Sequence, residues 1–592
     1  MFCNYFDSAH YQNCVFTHIN VFPSSTDHNN FTEEGIFAPE ERSGVYSDRE
    51  SPDDGADMPL NDRILYYAMY VQHFGLSLEE ILRMEDLMSV IYGISPPITY
   101  NRHVVPFNSE ALEEYDRKRD YFCCACEEKL NELRDECGNS ACKLYRVSIK
   151  RAKGVQRIEV HVLNMIPQLS DVILKEIKQI IDVHGSLHED RENPTNDRSD
   201  IRQFDGFYEN IETAEEFSQK RLKVLLSISI DGFVPKRITR REMWPLYLRV
   251  DNLPRQEADK YVNSLLCGII YSLSKPSSKM LETLFARLES ELTALQLEPI
   301  EIEVDGHCWS IDVSLYRGVA DMAAQKALFG IPRWNSEQGC SKCYIMGQRI
   351  DGRRVWITAE DDDTNLRHPE SYTDDGQMGT NGVPDETPMM RMIAPCDFPG
   401  DALHVCSEGI TKDRLRDLFH TKSRIPDLKI SRQGIRRVKK TLREMSSYTY
   451  ASSFILSLDD LRTCKAAEID ELAFVAFPLT AASGLLPSPI AAVSLLGYWL
   501  CLRIISDSRN LTTARIKKAQ KIANLTKQIW TSIAPETFTM KCHWFFDHAM
   551  LEEIELYGST YQWSSAPFES HHRRLQIRVD QSLTNSSTTI IE

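Results

Sequence analysis

Residues 221–232 read Arg221-Leu-Lys-Val-Leu-Leu-Ser-Ile-Ser-Ile-Asp231-Gly232. Val224, Leu226, Ile228 and Ile230 alternate with Leu225, Ser227 and Ser229, a period of two that predicts a buried strand. The strand delivers Asp231 at its C-terminal tip, where Asp-Gly turns the chain. An acid held there is placed to ligate a metal. Met243-Trp244-Pro245-Leu246 and then Asn252-Leu253-Pro254 follow, and this ordering is the most specific signal in the chain.

Composition bounds the answer less sharply. A length of 592 residues suggests three or four domains, and 42% hydrophobic with 26% charged residues is the balance of a soluble globular protein. A net charge of −18 argues against a surface coated for nucleic acid, so any DNA must bind in local basic grooves. Residues 1–60 hold eleven Asp or Glu against two Arg and are rich in Ser, Pro and Asn, the composition of a disordered segment. The opening Met-Phe-Cys-Asn-Tyr has neither a basic nor an apolar signal region, so the sixteen Cys are expected as reduced thiols, some of them at metal sites. Residues 472–502 carry no charge and are long enough to span a bilayer, but Pro478, Gly484, Pro487 and Pro489 divide them. Buried helices and no membrane are expected.

Asn61 to Tyr92 carries Leu, Ile and Met at helical spacing, with Ser77 and Glu80 placed as a capping box. A small helical interaction domain and a helix-turn-helix-like DNA reader both fit. Cys123-x-x-Cys126 with Cys137 and Cys142 supplies four soft ligands in two tight turns, as structural zinc requires; Cys124 is an alternative first ligand, and unliganded thiols are the plain alternative. Ile158-Glu-Val-His-Val-Leu is strand-like, and the polar stretch His184 to Arg202 reads as a loop.

The ordered motifs resemble the transposase domain of CACTA-type (En/Spm-like) DNA transposons of invertebrate type, whose pattern is a strand ending in Asp-Gly, then Leu-Trp-Pro, then Asn-Leu-Pro. The resemblance continues through Gly268, Lys275-Pro276, Cys308 to Val313, Ala320-Asp321-Met322-Ala323, Gly339-Cys340-Ser341-Lys342-Cys343, Asp401-Ala402-Leu403-His404 and Phe568-Glu569, covering roughly residues 60–580. It implies an α+β multidomain protein in which a small helical segment and a zinc knuckle precede an RNase H-like mixed-sheet core, itself interrupted by a large helical insertion. The expected organisation is an acidic N-terminus (1–60), a helical domain (61–118), the knuckle (119–145), a linker with a small α/β segment (146–220), the first part of the core (221–330), the insertion (331–555), a closing helix (556–580) and a polar tail (581–592).

Cleaving DNA and joining its 3′ hydroxyl elsewhere are in-line displacements at phosphorus, which two divalent ions in a carboxylate cage assist; oxygen ligands select Mg²⁺ or Mn²⁺. The resemblance maps the three acids onto Asp231, Asp321 and Glu569. Asp321 keeps the acid of the family's Cys-Asp-x-Pro-Ala-like run without its neighbours. Pro567 opens the helix of Glu569, and His571, His572, Arg573 and Arg574 are expected to line it and grip phosphates. Cys340, Cys343, Asp401 and His404 resemble the Cys-x-x-Cys and Asp-x-x-His pair of several eukaryotic transposase superfamilies, a structural zinc set for which Cys396 or Cys406 offers a fourth ligand.

DNA contacts are expected from Lys236, Arg237, Arg240 and Arg241, and from Arg432, Arg436, Arg437, Lys439, Lys440 and Arg443 on one helix. The functional expectation is a nuclear, homo-oligomeric transposase acting on transposon ends and target DNA. The alternative is a domesticated, non-catalytic relative that binds DNA or proteins, and a third reading builds a membrane-associated protein around residues 472–502.

Overall fold

The alternation in residues 221–230 forms a strand at the centre of a seven-stranded mixed sheet. The strands are β1 (Lys118–Phe122), β2 (Ile158–Val162), β3 (Arg221–Ile230), β4 (Glu242–Val250), β5 (Ser264–Ser272), β6 (Ile300–Val304) and β7 (His307–Val319). Their order is β1-β2-β5-β4-β3-β7-β6, antiparallel throughout except for the parallel pair β3–β7. This computed structural model describes residues 59–74, 78–93, 96–107, 118–130, 136–148, 158–192, 200–235, 241–358, 366–384, 386–420, 426–445, 458–459, 461–507 and 511–581. The expected disordered start, the Ser77 cap, Lys236, Arg237, Arg240, the side chain of Arg574 and the tail from 582 lie outside the described residues.

Two compact units divide the chain. The first contains helices α1 (Leu60–Phe74) and α2 (Leu78–Tyr92), linked by Tyr67 Oη donating to Glu85 Oε1 at 2.7 Å. The second contains the sheet, the helices on it and the helical region that follows.

Val224, Leu226, Ile228 and Ile230 face one side of the sheet, packing with helix α3 (Met165–Glu192) through Leu169, Ile173 and Ile177 and with α4 (Ser278–Leu297) through Met280, Leu284 and Phe285. The other face of β3 turns polar after Leu225. There the buried Asp251 accepts Ser227 Oγ at 2.5 Å, Arg249 Nε at 2.6 Å and Arg317 Nη2 at 2.7 Å, which compensates its burial and holds its carboxyl far below the usual range.

Asn252 explains one motif. Its Oδ1 accepts the Leu225 N–H at 2.8 Å, and its Nδ2 reaches Lys223 O and His184 Nε2, each at 2.9 Å, so one amide satisfies β3 and anchors α3. The stretch expected as a loop from His184 is still helical to Glu192. His184 and His188, one turn apart, both meet the buried Glu212, so this polar stretch has an inward face.

The sheet also starts earlier than residue 221. All five residues of β2 are buried, with Glu159 and His161 paired at 3.3 Å, and β1 and β2 extend the sheet beyond β5. After β7 and the short helix α5 (Met322–Phe329), the region is mainly helical with a second core of its own. That core includes α6 (Arg432–Met445), α7 (Ala466–Ala482), α8 (Pro489–Ile505) and α9 (Thr513–Ile533). Residues 472–502 form parts of α7 and α8, and among the described residues no helix is long and apolar enough to cross a membrane.

Candidate carboxylate site and metal centres

The parallel register pairs Ser229 of β3 with Val319 of β7. Asp231 and Asp321 each stand two residues beyond that pair, so both emerge at the same end of the sheet. Gly232 N–H donates to Asp231 Oδ1 at 2.7 Å, and a Cβ on Gly232 would lie 2.3 Å from the Trp244 ring. The tryptophan of one motif therefore demands the glycine of the other. Asp321 also caps α5, its Oδ1 accepting Ala324 N–H at 2.5 Å.

Glu569 arrives on the first turn of α10 (Ala566–Gln581). Phe568 and Leu575 pack α10 onto Tyr247, Ile269 and Tyr271, on the sheet face opposite α4. Arg255 Nη1 donates to Gln562 O at 3.1 Å just before this helix. Asp401 then ties the site together. It accepts Ser565 N–H and Ser565 Oγ, both at 2.8 Å, and His404 Nδ1 at 2.5 Å. Ser565 Oγ lies 3.2 Å and His404 Nε2 3.7 Å from Glu569 Oε1.

These groups share one field. Burial, and then the charge of Asp321, push the Asp231 carboxyl up to about 6. Burial pushes Glu569 up to about 7, with Asp401 and Asp231 adding to it and His404 opposing. Burial works against a charged His404, but the bond and charge of Asp401, then Glu569 and Asp321, raise it to about 10. Four acids, of which Asp401 is buried and Asp231, Asp321 and Glu569 half-buried, stand with one half-buried imidazolium, a charge imbalance that a hard cation would relieve. The oxygen donor set fits Mg²⁺ or Mn²⁺.

The other expected basic residues behave differently. His571 and His572 are buried, His571 against Asp259 O at 3.2 Å and His572 stacked on Phe233 at 4.7 Å, so they pack α10 instead of lining a phosphate path. Burial, then the charge of His571, push His572 down to about 3. Arg573 is exposed. Arg241 lies over the Tyr271 ring at 4.4 Å. On α6, Ile435, Val438 and Leu442 are buried while Arg432, Arg436, Arg437, Lys440 and Arg443 are exposed. Lys439 pairs with Asp459, Arg443 reaches the same carboxylate at 3.7 Å, and Lys440 reaches Glu444 at 3.7 Å.

Among the described residues, two candidate metal-binding clusters have all their ligand atoms within 4.8 Å of one another. The first is Cys123, Cys126, Cys137 and Cys142, with Cys124 left out. Cys123 N–H donates to Glu128 O at 2.9 Å, and Leu144 N–H points at Cys142 Sγ at 3.4 Å. Sulfur separations of 3.8 Å (Cys123–Cys142) and 3.4 Å (Cys126–Cys137) suit a tetrahedron with metal–sulfur bonds of about 2.3 Å.

The second cluster corrects the expected ligand set. Cys340 and Cys343 meet His543 and His548, whereas Asp401 and His404 belong to the carboxylate site, and Cys396 and Cys406 are not among the four. Cys340 Sγ is 3.4 Å from His548 Nε2, Cys343 Sγ 3.3 Å from His543 Nε2, and the two Nε2 atoms are 3.2 Å apart. Two thiolates and two imidazoles suit zinc. Asp547 orients His543 through Nδ1 at 2.8 Å and is itself paired with Lys527. The sequence signal that was missed is the His543…His548 spacing some 200 residues downstream of the cysteines.

A family model described as a protein of unknown function (DUF1258) matches residues 121–389. That span includes the four-cysteine cluster, β2 to β7, Asp231, Asp321 and the Cys340–Cys343 pair, and ends before Asp401 and Glu569. No curated protein matches the chain.

Proposed function

We propose that this protein is a CACTA-like DNA transposase whose RNase H-like core cleaves DNA and transfers strands with the help of Mg²⁺. One observation carries the reading: Asp231, Asp321 and Glu569, drawn from distant parts of the chain, share one half-buried electrostatic cluster at the end of the sheet. The topology supports it as well. A β5-β4-β3 antiparallel run, a crossover through α4 and a parallel β7 beside β3 have the arrangement expected of an RNase H-like core, with the β6–β7 hairpin at the edge.

Asp231, Asp321 and Glu569 would hold the ions. When bound, a pair of divalent ions stabilises the attacking and leaving oxygens of an in-line displacement at phosphorus. Asp231 and Asp321 are held on the rigid end of a parallel strand pair. Glu569 depends on its supports: Asp401 fixes Ser565 and His404, and both approach Glu569 Oε1. Exposed Arg436, Arg437, Lys440 and Arg573 are suited to phosphate contacts, which position DNA without reading its sequence. Acting on two transposon ends would call for a homo-oligomer, and the substrate places the work in the nucleus.

The test is Asp231→Asn, which removes charge with little change of volume. Mg²⁺-dependent strand cleavage should be lost while DNA affinity stays within a few-fold, since affinity comes from Lys and Arg. Cleavage by the variant at the wild-type rate would refute the proposal. The non-catalytic alternative draws on a different observation: the three acids are not among the groups whose ligand atoms all lie within 4.8 Å of one another. On that reading wild type and variant are equally inert and bind DNA alike.

A further inference from the structure

Lys342 lies between the two cysteines of the Cys₂His₂ cluster, yet it is buried at 6% exposure. A buried ammonium needs a partner. Lys342 Nζ is 2.8 Å from Glu553 Oε1, and Glu553 is itself buried at 2% exposure. Lys342 Nζ also donates to Cys396 O at 3.1 Å. The Glu553 carboxylate has a second ligand: Gly400 N–H lies 3.0 Å from both of its oxygens. A Cβ on Gly400 would come within 2.9 Å of Trp544 and 3.5 Å of Glu553 Oε2, so this approach needs glycine.

Gly400 immediately precedes Asp401, the residue that holds Ser565 and His404 against Glu569. The contacts therefore form a continuous line. It runs from Cys340 and Cys343 through Lys342, Glu553, Gly400 and Asp401 to Ser565 and His404, and ends at Glu569. His543 and His548 of the candidate metal cluster stand on the same helical stretch as Glu553, so both ends of the Lys342–Glu553 pair are carried by residues of one Cys₂His₂ cluster.

We propose that Lys342 and Glu553 are positioning residues that couple the Cys₂His₂ centre to the carboxylate site by holding Gly400 and, through it, Asp401. The proposal rests on the reading of Asp231, Asp321 and Glu569 as ligands of a divalent ion. It assigns the hydrogen bond from Gly400 to Glu553 as the connection, with Lys342 holding the carboxylate in place. The zinc-type centre then acts as the fixed end of a lever that aims Glu569.

The test uses the full chain with Mn²⁺ as the probe, its binding followed by electron paramagnetic resonance. Cobalt substituted into the Cys₂His₂ cluster reports separately on that centre through its visible spectrum. Replacing the pair together, Lys342→Met with Glu553→Met, removes the link without leaving an unpaired buried charge, so the fold should survive. The expected result is an unchanged cobalt spectrum with Mn²⁺ affinity lowered about 10–100-fold, the usual effect of losing an outer-shell partner. Lys342→Met with Glu553→Gln keeps an acceptor for Gly400, again without an unpaired buried charge, and should stay within a few-fold of wild type.

Unchanged Mn²⁺ binding in the double variant, alongside its loss in Asp231→Asn, overturns the coupling and leaves the carboxylate reading standing. Equal Mn²⁺ binding by wild type and Asp231→Asn rejects that reading, and the coupling with it. If the double variant does not fold, Gly400→Ala displaces the same contact from the other side. It should weaken Mn²⁺ similarly, and unchanged affinity there also overturns the proposal.

Discussion

A single amide, that of Asn252, satisfies a strand N–H, a strand carbonyl and a histidine ring. Asn252→Ala leaves those buried groups unpaired, and urea unfolding should show a loss of about 1–3 kcal/mol. The carboxylates have their own signature. Asp231 and Glu569 are raised to about 6 and about 7, so protons compete with a cation for them below neutrality. Mn²⁺ affinity should therefore rise as pH climbs from 5 to 8 and level off above Glu569's value; a flat profile in a calorimetric titration would contradict the site. At this scale the sequence was readable where a residue's place follows from its own strand or turn, as for Asp231 at the tip of β3 and the four clustered cysteines. Asp401 and His404 were assigned to the wrong centre. Spacing shows that they neighbour each other on one turn, and only the tertiary fold decides which site that turn faces.

Among the elements, the four-cysteine cluster sits between β1 and β2 with a small apolar neighbourhood of its own, chiefly Leu130 and partly buried Tyr121 and Leu144. Chelation or Cys126→Ser should open residues 125–145 to protease while β3 to β7 stay protected, because none of the four cysteines belongs to the large core. Unchanged proteolysis after chelation would count against a bound metal. Helix α6 presents its basic face outward, so Arg436→Glu with Arg437→Glu should weaken DNA binding and flatten its dependence on salt in filter-binding measurements. Strand β3 was legible because its period of two is unbroken. Strand β2 was visible as a patch, but its membership of the main sheet was not, since strand order depends on pairing across more than 100 residues. The polar end of α3 was read as a loop because its inward histidines find their carboxylate only in the fold.

At the scale of the whole molecule, the Cys₂His₂ cluster joins a loop just after the first part of the core to a helix about 200 residues later. Cys343→Ser should therefore lower the thermal midpoint of the full chain more than Cys126→Ser does, a difference scanning calorimetry can measure. The broad plan, a mixed sheet followed by a helical region and closed by a last helix, was legible from motif order. The contacts between distant parts were not, because no local pattern encodes a meeting between residue 340 and residue 548. The parallel pair β3–β7 is complete long before α10 exists, so a ribosome has to translate the stretch from Asp231 to Glu569 before the third acid appears. At about 5–20 residues per second that takes on the order of tens of seconds. A nascent or prematurely terminated chain would carry a folded sheet with two acids and no third. On the proposed nuclease reading, chain completion itself would be the safeguard that keeps an unfinished copy from cutting DNA.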